Sequence, residues 1–136
     1  MNTKHLWDYF DAKKTLRVAR EDLEEYESTI YSPKSPVVSG MPFEHGSAET
    51  DKLATLAQKH EDLLLTLIRA IMAADKAYKM LEVFAAILTD DEREVLYARY
   101  RKGMSFRDME DELHRSERTL RRANNRIKEK FAKFEN

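Results

Sequence analysis

The 136-residue sequence contains no cysteine and only three glycines and three prolines. Without cysteine the chain can form neither disulfides nor thiolate metal sites, and its composition does not point to secretion. It has no apolar run close to the roughly 20 residues of a membrane span. The first residues, MNTKHLWDYFDAKK, lack the apolar core of a signal peptide. We therefore expect a soluble cytoplasmic protein without a membrane partner.

Motifs for catalysis and metal binding are also missing. The sequence has no phosphate-binding glycine loop, no HExxH pair and no nucleophile elbow. Its four histidines do not have the spacing of metal ligands, and His60 occupies a packing position in a heptad pattern. We therefore expect a protein that is not an enzyme and that has no metal site and no cofactor.

The net charge of −1 conceals an uneven distribution of charge. Residues 113–133 contain eight Lys and Arg against two Glu, a local charge of +6, so the rest of the chain is near −7. Charged residues make up 36% of the chain and hydrophobic residues 42%, which suits long helices with wide solvated faces. The basic C-terminal segment is the strongest chemical signal in the sequence.

The few glycines and prolines predict an all-α fold. Five of the six fall between Pro33 and Gly46, which predicts a long irregular connection over residues 28–48. An apolar stripe at three- and four-residue spacings predicts a first helix over 3–27. After the connection, a long helix to Leu88 carries a heptad pattern that leaves a break near Ala74 open. Its a and d positions are Leu53, Leu56, His60, Leu63, Leu67, Ala70, Ala74, Ala77, Leu81, Phe84 and Leu88.

The apolar stripe of this long helix is three positions wide. Such a stripe is broader than a two-stranded seam, so we expect it to pack on more than one partner. The first helix is one candidate partner and a second copy of the chain is another. From Ile68 onward the helix is apolar nearly all round, which predicts that its C-terminal half is the more buried half.

Three side-chain caps divide the C-terminal third into helices. Thr89 and Glu92 form a capping-box pattern, which predicts a helix to Lys102 that ends at Gly103. Ser105 is expected to cap a short helix with Phe106, Met109 and Leu113 facing inward. Ser116 is expected to cap a third helix that continues to about Phe134.

The third helix of this segment separates into two faces. At about 100° per residue, one face is apolar and the other is basic. The stretch HRSERTLRRANNR, residues 114–126, contains its start. The apolar face comprises Leu120, Ala123, Ile127, Phe131 and Phe134. The opposite face comprises Arg118, Arg121, Arg122, Asn125 and Glu129, with Arg126 on its flank.

Two interpretations of the basic face compete. A charge run is usually a solvated surface, and Lys and Glu would serve that purpose equally well. Arg and Asn are also the residues that pair in two places with the edges of guanine and adenine. A short helix, a tight turn and a longer basic helix match a helix-turn-helix, whose second helix lies in the major groove. The residues predicted to bind DNA are Arg115, Ser116, Arg118, Thr119, Arg121, Arg122, Asn125, Arg126 and Lys130.

The segment LTDDEREVLYARYRKGMSFRDMEDELHRSERTLRRANNRIKEKF, residues 88–131, resembles the fourth region of bacterial sigma factors. It resembles more closely the phage late-gene transcription regulators of the RinA and ArpU type, which carry a sigma-like C-terminal domain. The resemblance covers about a third of the chain. The loop SPVVSGMP before DKLATL is also similar to those regulators. The matching residues are Glu94, Val95, Leu96, Arg99, Tyr100, Gly103, Phe106, Met109, Leu113, Ser116, Thr119, Arg122 and Arg126.

Two positions depart from the pattern of that family. Glu110 replaces a small residue where the two helices approach, so it must turn outward or pair with Arg121 or Arg107. His114 replaces a glycine at a turn position that requires a positive φ, which histidine tolerates better than most residues.

The resemblance implies a phage-encoded, sequence-specific activator of late genes for packaging and morphogenesis, acting in the bacterial cytoplasm. Residues 89–136 would then be the DNA-binding domain and residues 1–88 an interaction region. We expect the N-terminal helices to form a homodimer or to contact host RNA polymerase. We also expect the fragment 1–88 to associate on its own and the fragment 89–136 to be a monomer that binds DNA weakly.

Two other functions remain open at this point. The chain could be the DNA-recognition subunit of a phage packaging motor, similar to a small terminase, or a coiled-coil adaptor without a nucleic-acid role. Packaging subunits form rings, so the mass in solution separates them from a dimeric regulator. Absence of salt-sensitive DNA binding would favour the adaptor.

Overall fold

The computed structural model describes residues 3–30 and 46–136, and all the regular structure in these ranges is helical. The predicted all-α class is therefore confirmed. No helix in these ranges is both long and apolar enough to cross a membrane. A 3₁₀ turn, Lys4–Trp7, is followed by α1 (Asp8–Ile30), α2 (Gly46–Ala85), α3 (Asp90–Leu96), a π-helical segment (Tyr97–Arg101), α4 (Phe106–Leu113) and α5 (Glu117–Glu135).

Both long helices extend into the predicted connection, and α2 ends at Ala85, before the predicted end at Leu88. Helix α1 continues to Ile30, and the Thr29 hydroxyl donates to the Glu25 carbonyl within its last turns. Helix α2 begins at Gly46 and has no break near Ala74. Residues 31–45, the greater part of the predicted connection, lie outside the described residues.

All three predicted caps form. Glu92 N–H donates to the Thr89 hydroxyl at 3.3 Å, and Thr89 N–H donates to the Glu92 carboxylate at 3.1 Å, which completes the capping box. The Ser105 and Ser116 hydroxyls each accept an N–H from the first turn of the helix that follows. These caps satisfy amides that a helix N-terminus leaves without partners, so they set where α3, α4 and α5 begin.

The described residues form two compact units. One contains residues 3–14 and 73–136, and the other lies within 15–72. This division differs from the predicted boundary between residues 88 and 89. The reason is that Leu81, Phe84 and Leu88 share one hydrophobic core with α3 and α5.

The core of the first unit joins segments that are distant in sequence. Leu6 from the 3₁₀ turn is fully buried among them. The Phe84 and Phe131 rings meet edge to face at 5.0 Å, and Trp7 meets Tyr100 in the same way at 4.7 Å. The other fully buried members of the core include Leu81, Val95, Leu96, Met109, Leu120 and Ile127. These contacts hold α4 and α5 against the end of α2.

Gly103 follows the π-helical segment that continues α3, so the helix ends where the sequence predicted. Its φ of 72° is in the left-handed region, where glycine has no steric penalty. A Cβ atom at this position would overlap the Phe10 ring. The position therefore needs glycine both for its backbone conformation and for the close approach of α1.

The second unit contains the packing histidine that the heptad predicted. His60 Nε2 lies 3.0 Å from the Glu27 carboxylate, and the ring stacks on Tyr26 with centroids 6.2 Å apart. The Tyr26 hydroxyl donates to the Leu56 carbonyl at 2.7 Å. These contacts join α1 to α2 within residues 15–72.

The prediction that the C-terminal half of α2 is the more buried half is confirmed, but the burial is confined to one side of the helix. One face is buried, at Ala70, Ala74, Ala77, Leu81 and Phe84. The opposite side exposes large apolar side chains. These exposed residues are Ile68, Ile71, Met72 and Val83.

Candidate nucleic-acid interface

Helices α4 and α5 are joined by a three-residue turn, His114 to Ser116. His114 has φ 54° and ψ 43°, so the predicted positive φ is confirmed. This left-handed residue ends α4 and redirects the chain. Its N–H donates to the Glu110 carbonyl at 2.9 Å, which closes the last turn of α4.

The Glu110 side chain accepts a hydrogen bond from the backbone N–H of Glu117. The predicted alternatives, an outward orientation or an ion pair with Arg121 or Arg107, are therefore wrong. Because an ionised carboxylate is stabilised by the positive end of a helix dipole, Glu110 suits the N-terminus of α5. Together with the Ser116 hydroxyl, it satisfies two amides of that first turn.

Helix α5 has one buried face and one exposed face, as its periodicity predicted. Leu120, Ala123, Ile127 and Phe131 are buried. Asn124 is buried with them, and its side-chain oxygen accepts the Tyr100 hydroxyl at 2.6 Å. Burial raises the pKa of Tyr100, so the neutral donor form of the phenol is favoured. This bond satisfies two polar groups inside the core.

Arg115 lies in the turn, and its side chain is directed toward α3. Its guanidinium is 3.0 Å from the Asp91 carboxylate and 2.5 Å from the Glu94 carboxylate. The side chain is 24% exposed, which is low for an arginine in a surface turn. Arg115 therefore links the turn before α5 to α3.

Glu92 holds two more of the basic residues predicted to bind DNA. Its carboxylate is 2% exposed, and it accepts from Lys130 Nζ at 2.6 Å and from Arg126 Nε at 3.1 Å. Burial on its own would raise the pKa of Glu92. The hydrogen bonds from Lys130, from the Thr89 amide and from Arg126 outweigh burial and lower that pKa from 4.5 to about 2.

Arg121 is held less tightly than Arg115. Its Nε is 3.4 Å from the Glu117 carboxylate, and both side chains are about half exposed. Its guanidinium also lies over the Phe106 ring, 4.5 Å from the centroid. Arg99 lies 4.6 Å from the same ring, so Phe106 contacts two guanidinium groups.

Arg118, Arg122 and Asn125 form the exposed centre of α5, directly opposite its buried face. Across the described ranges, none of the three has a side-chain hydrogen bond, an ion pair or a ring contact to another residue. Thr119 is at the edge of this group, with its hydroxyl 2.9 Å from that of Ser116. Of the nine residues predicted to bind DNA, these three can bind another molecule without first breaking a contact to a described residue.

A family described as "Protein of unknown function (DUF722)" matches residues 45–133. The chain belongs to this family. The match runs from the start of α2 nearly to the end of α5 and so includes the whole exposed face of α5. No curated protein and no solved structure matches the chain.

The nine candidate residues of this DUF722 chain fall into three groups. Arg115, Arg126 and Lys130 are engaged by acidic residues of α3. The second group contacts nearby residues: Ser116 and Thr119 contact each other, and Arg121 contacts Glu117 and the Phe106 ring. The third group, with no internal contact, is Arg118, Arg122 and Asn125.

Sequence reasoning missed the contact of Glu92 with α5, and for Glu110 it named Arg121 of α5 instead of the Glu117 amide. Glu92 was predicted only as a capping residue, and its second role depends on α5 lying beside α3. The burial of Asn124 was accessible from the sequence, since this position lies about 40° from Leu120 on the helix. Only Asn125 of the two asparagines was assigned to the exposed face.

Proposed function

We propose that this chain binds duplex DNA in a sequence-specific manner and that α5 is the helix that reads the major groove. The observation that carries the proposal is the free group of Arg118, Arg122 and Asn125 on one exposed face. Arginine pairs in two places with guanine, and asparagine does so with adenine. Three such side chains without internal partners are available for base edges.

The arrangement of α4 and α5 supports this function. A short helix, a three-residue turn and a longer helix packed on a common core are the elements of a helix-turn-helix. In such proteins the N-terminal part of the second helix contacts the bases. The free group lies in the first half of α5, and the caps at Ser116 and Glu110 hold that half in helical form.

The charges of the first unit support the same assignment. Acidic residues of α3 engage Arg115, Arg126 and Lys130, whereas Arg118 and Arg122 at the centre of α5 have no acidic partner among the described residues. The remaining positive charge favours a polyanion. The resemblance of residues 88–131 to late-gene regulators supports a role as a phage activator of transcription, acting in the host cytoplasm with host RNA polymerase as a further partner.

The test separates base reading from phosphate contact. Sites are first selected from a random duplex pool, and affinities are then titrated with salt on the selected site and on a scrambled duplex. We expect Arg122→Ala to weaken specific binding by about 1–3 kcal/mol and to leave non-specific binding nearly unchanged. Lys128→Ala should weaken both modestly and lower the salt slope by about one unit.

The choice of two variants avoids other effects on stability and charge. Lys128 is preferable to Lys130 as the phosphate-contact variant, because replacing Lys130 removes a partner of buried Glu92. Arg20→Ala is the matched arginine control, since Arg20 is an exposed residue of α1 in the second unit. Equal losses on both duplexes for Arg122→Ala would make α5 a phosphate clamp. Absence of salt-sensitive binding in the wild type would favour an adaptor without a nucleic-acid role.

A further inference from the structure

Two contacts hold the Arg121 guanidinium at the surface of α5. Its Nε lies 3.4 Å from the carboxylate of Glu117, one turn earlier in the helix, and its central carbon lies 4.5 Å from the centroid of the Phe106 ring. The first contact uses only the Nε edge of the group, and a cation–π contact takes up no hydrogen-bond donor. No described residue accepts a hydrogen bond from either Nη atom, so those N–H donors remain available.

Phe106 is a fixed support for the guanidinium of Arg121. It is the first residue of α4, and its half-buried ring packs against the hydrophobic core. A second guanidinium, that of Arg99, lies 4.6 Å from the centroid of the same ring. Arg99 is itself held, because it donates to the Met104 carbonyl at 2.8 Å and lies 5.2 Å from the Trp7 ring. The Phe106 ring is therefore held both by the core and by a second arginine.

Arg121 lies on the same exposed surface as the free group. It is three residues after Arg118 and four before Asn125, and residues at these spacings are neighbours on a helix. Arginine pairs with guanine through two N–H donors, to O6 and N7. A guanidinium that is already oriented loses less conformational entropy on binding than a free one. Arg121 can therefore bind a base while it keeps both of its internal contacts.

We propose that Arg121 reads a guanine in the major groove and that Phe106 is its positioning residue. This inference rests on the proposed DNA binding, and it adds a base-reading residue that is held in place before DNA binds. A leucine at residue 106 would pack on the same core but would offer no negative ring face to a guanidinium. The contact therefore requires an aromatic side chain.

A double-mutant cycle on the selected site and on a scrambled duplex measures the coupling. Arg121→Ala should weaken specific binding at least about fivefold and relax the preference at one base pair. Phe106→Leu should weaken specific binding about two- to fivefold and leave non-specific binding unchanged, because the guanidinium loses its orientation. In an Arg121→Ala background Phe106→Leu should cause no further loss, whereas in an Arg122→Ala background its full loss should remain. Phe106→Tyr keeps the ring and should bind like the wild type.

Phe134→Leu is the matched control for the loss of a ring. Phe134 is also half-buried against the core, but no guanidinium of the described residues lies over its ring. The control should lower the melting temperature, as Phe106→Leu does, without weakening specific binding. Circular dichroism checks that each variant retains the helical content of the wild type.

A second measurement follows Arg121 in the protein without DNA. NMR relaxation of the arginine Nε–H groups should show more restricted motion at Arg121 than at Arg118 and Arg122. Phe106→Leu should reduce this difference, and Phe106→Tyr should preserve it.

The outcomes separate this inference from the proposed function. It would be overturned by an equal loss from Phe106→Leu with and without Arg121, by unchanged specific binding of Arg121→Ala, or by an Arg121 side chain as mobile as that of Arg118. In each of these cases a selective loss from Arg122→Ala would still support DNA binding by α5. A wild type without salt-sensitive binding to any duplex would overturn both proposals.

Discussion

At the scale of single residues, Glu92 connects the start of α3 to the basic helix α5. Its carboxylate caps its own helix and binds Lys130 and Arg126, although it is almost fully buried. A buried carboxylate is stable only when hydrogen bonds and positive charges replace its hydration. Glu92 has all three partners, so its charged form is favoured in the folded state.

The lowered pKa of Glu92 predicts acid-sensitive stability. The folded pKa of about 2 is below the ordinary value of 4.5, so the stabilisation is present above pH 4.5 and is lost as the pH falls toward 2. The shift corresponds to about 3 kcal/mol in the free energy of unfolding. Urea unfolding at pH 6 and pH 3 measures the larger part of this loss. Glu92→Gln should be less stable at pH 6 and should lose less on acidification. Identical losses in the two proteins would contradict the assignment.

At the scale of elements, the first turn of α5 depends on two acceptors from outside the helix. The Ser116 hydroxyl accepts from Thr119 N–H at 3.3 Å, and Glu110 of α4 accepts from Glu117 N–H. Both hydrogen bonds are in the first turn of α5, which also contains Arg118. The position of that arginine is therefore coupled to the caps.

Ser116→Ala should cost about 1 kcal/mol of stability and should weaken specific DNA binding by more than that loss. The physical reason is that a frayed first turn displaces Arg118. Ser105→Ala is the matched control, because Ser105 caps α4 in the same way and should lower stability without the additional loss of affinity. Melting temperatures and duplex titrations measure both effects. An unchanged melting temperature together with unchanged affinity for Ser116→Ala would mean that this cap does not stabilise α5.

At the scale of the whole molecule, the DNA-binding helices share their core with both the N-terminus and the end of α2. Leu6, Leu81, Phe84 and Leu88 are at most 5% exposed in that core. A fragment that starts at residue 89 lacks all four. It would expose the apolar faces of α3 and α5 to water, at a cost of about 1.5–3 kcal/mol for each large side chain left unburied.

We therefore expect the fragment 89–136 not to fold cooperatively, in contrast to the weakly binding monomer that the sequence suggested. The fragment 73–136 restores the α2 residues, and adding a peptide of residues 3–14 should increase its helicity and its melting temperature. Circular dichroism of the three samples measures this. A cooperative transition of 89–136 at the midpoint of the full chain would show that these contacts contribute little.

Local chemistry explains why much of this architecture was predictable. Thr89, Ser105 and Ser116 cap amides within three residues of themselves, so neighbouring sequence suffices to locate the helix starts. The positive φ of His114 also follows from a short-range requirement of the turn. Periodicity alone likewise separates the two faces of α5, since a helix repeats every 3.6 residues.

The sequence by itself determined the helices, their caps, the two faces of α5 and the heptad pattern of α2. Only the tertiary structure decided which basic residues are engaged, because charged side chains choose partners by distance in space and not in sequence. It brought Glu92 under Arg126 and Lys130 and aimed Glu110 at α5. It also joined residues 3–14 and 73–88 to the C-terminal helices, since short helices bury enough apolar surface only against distant segments.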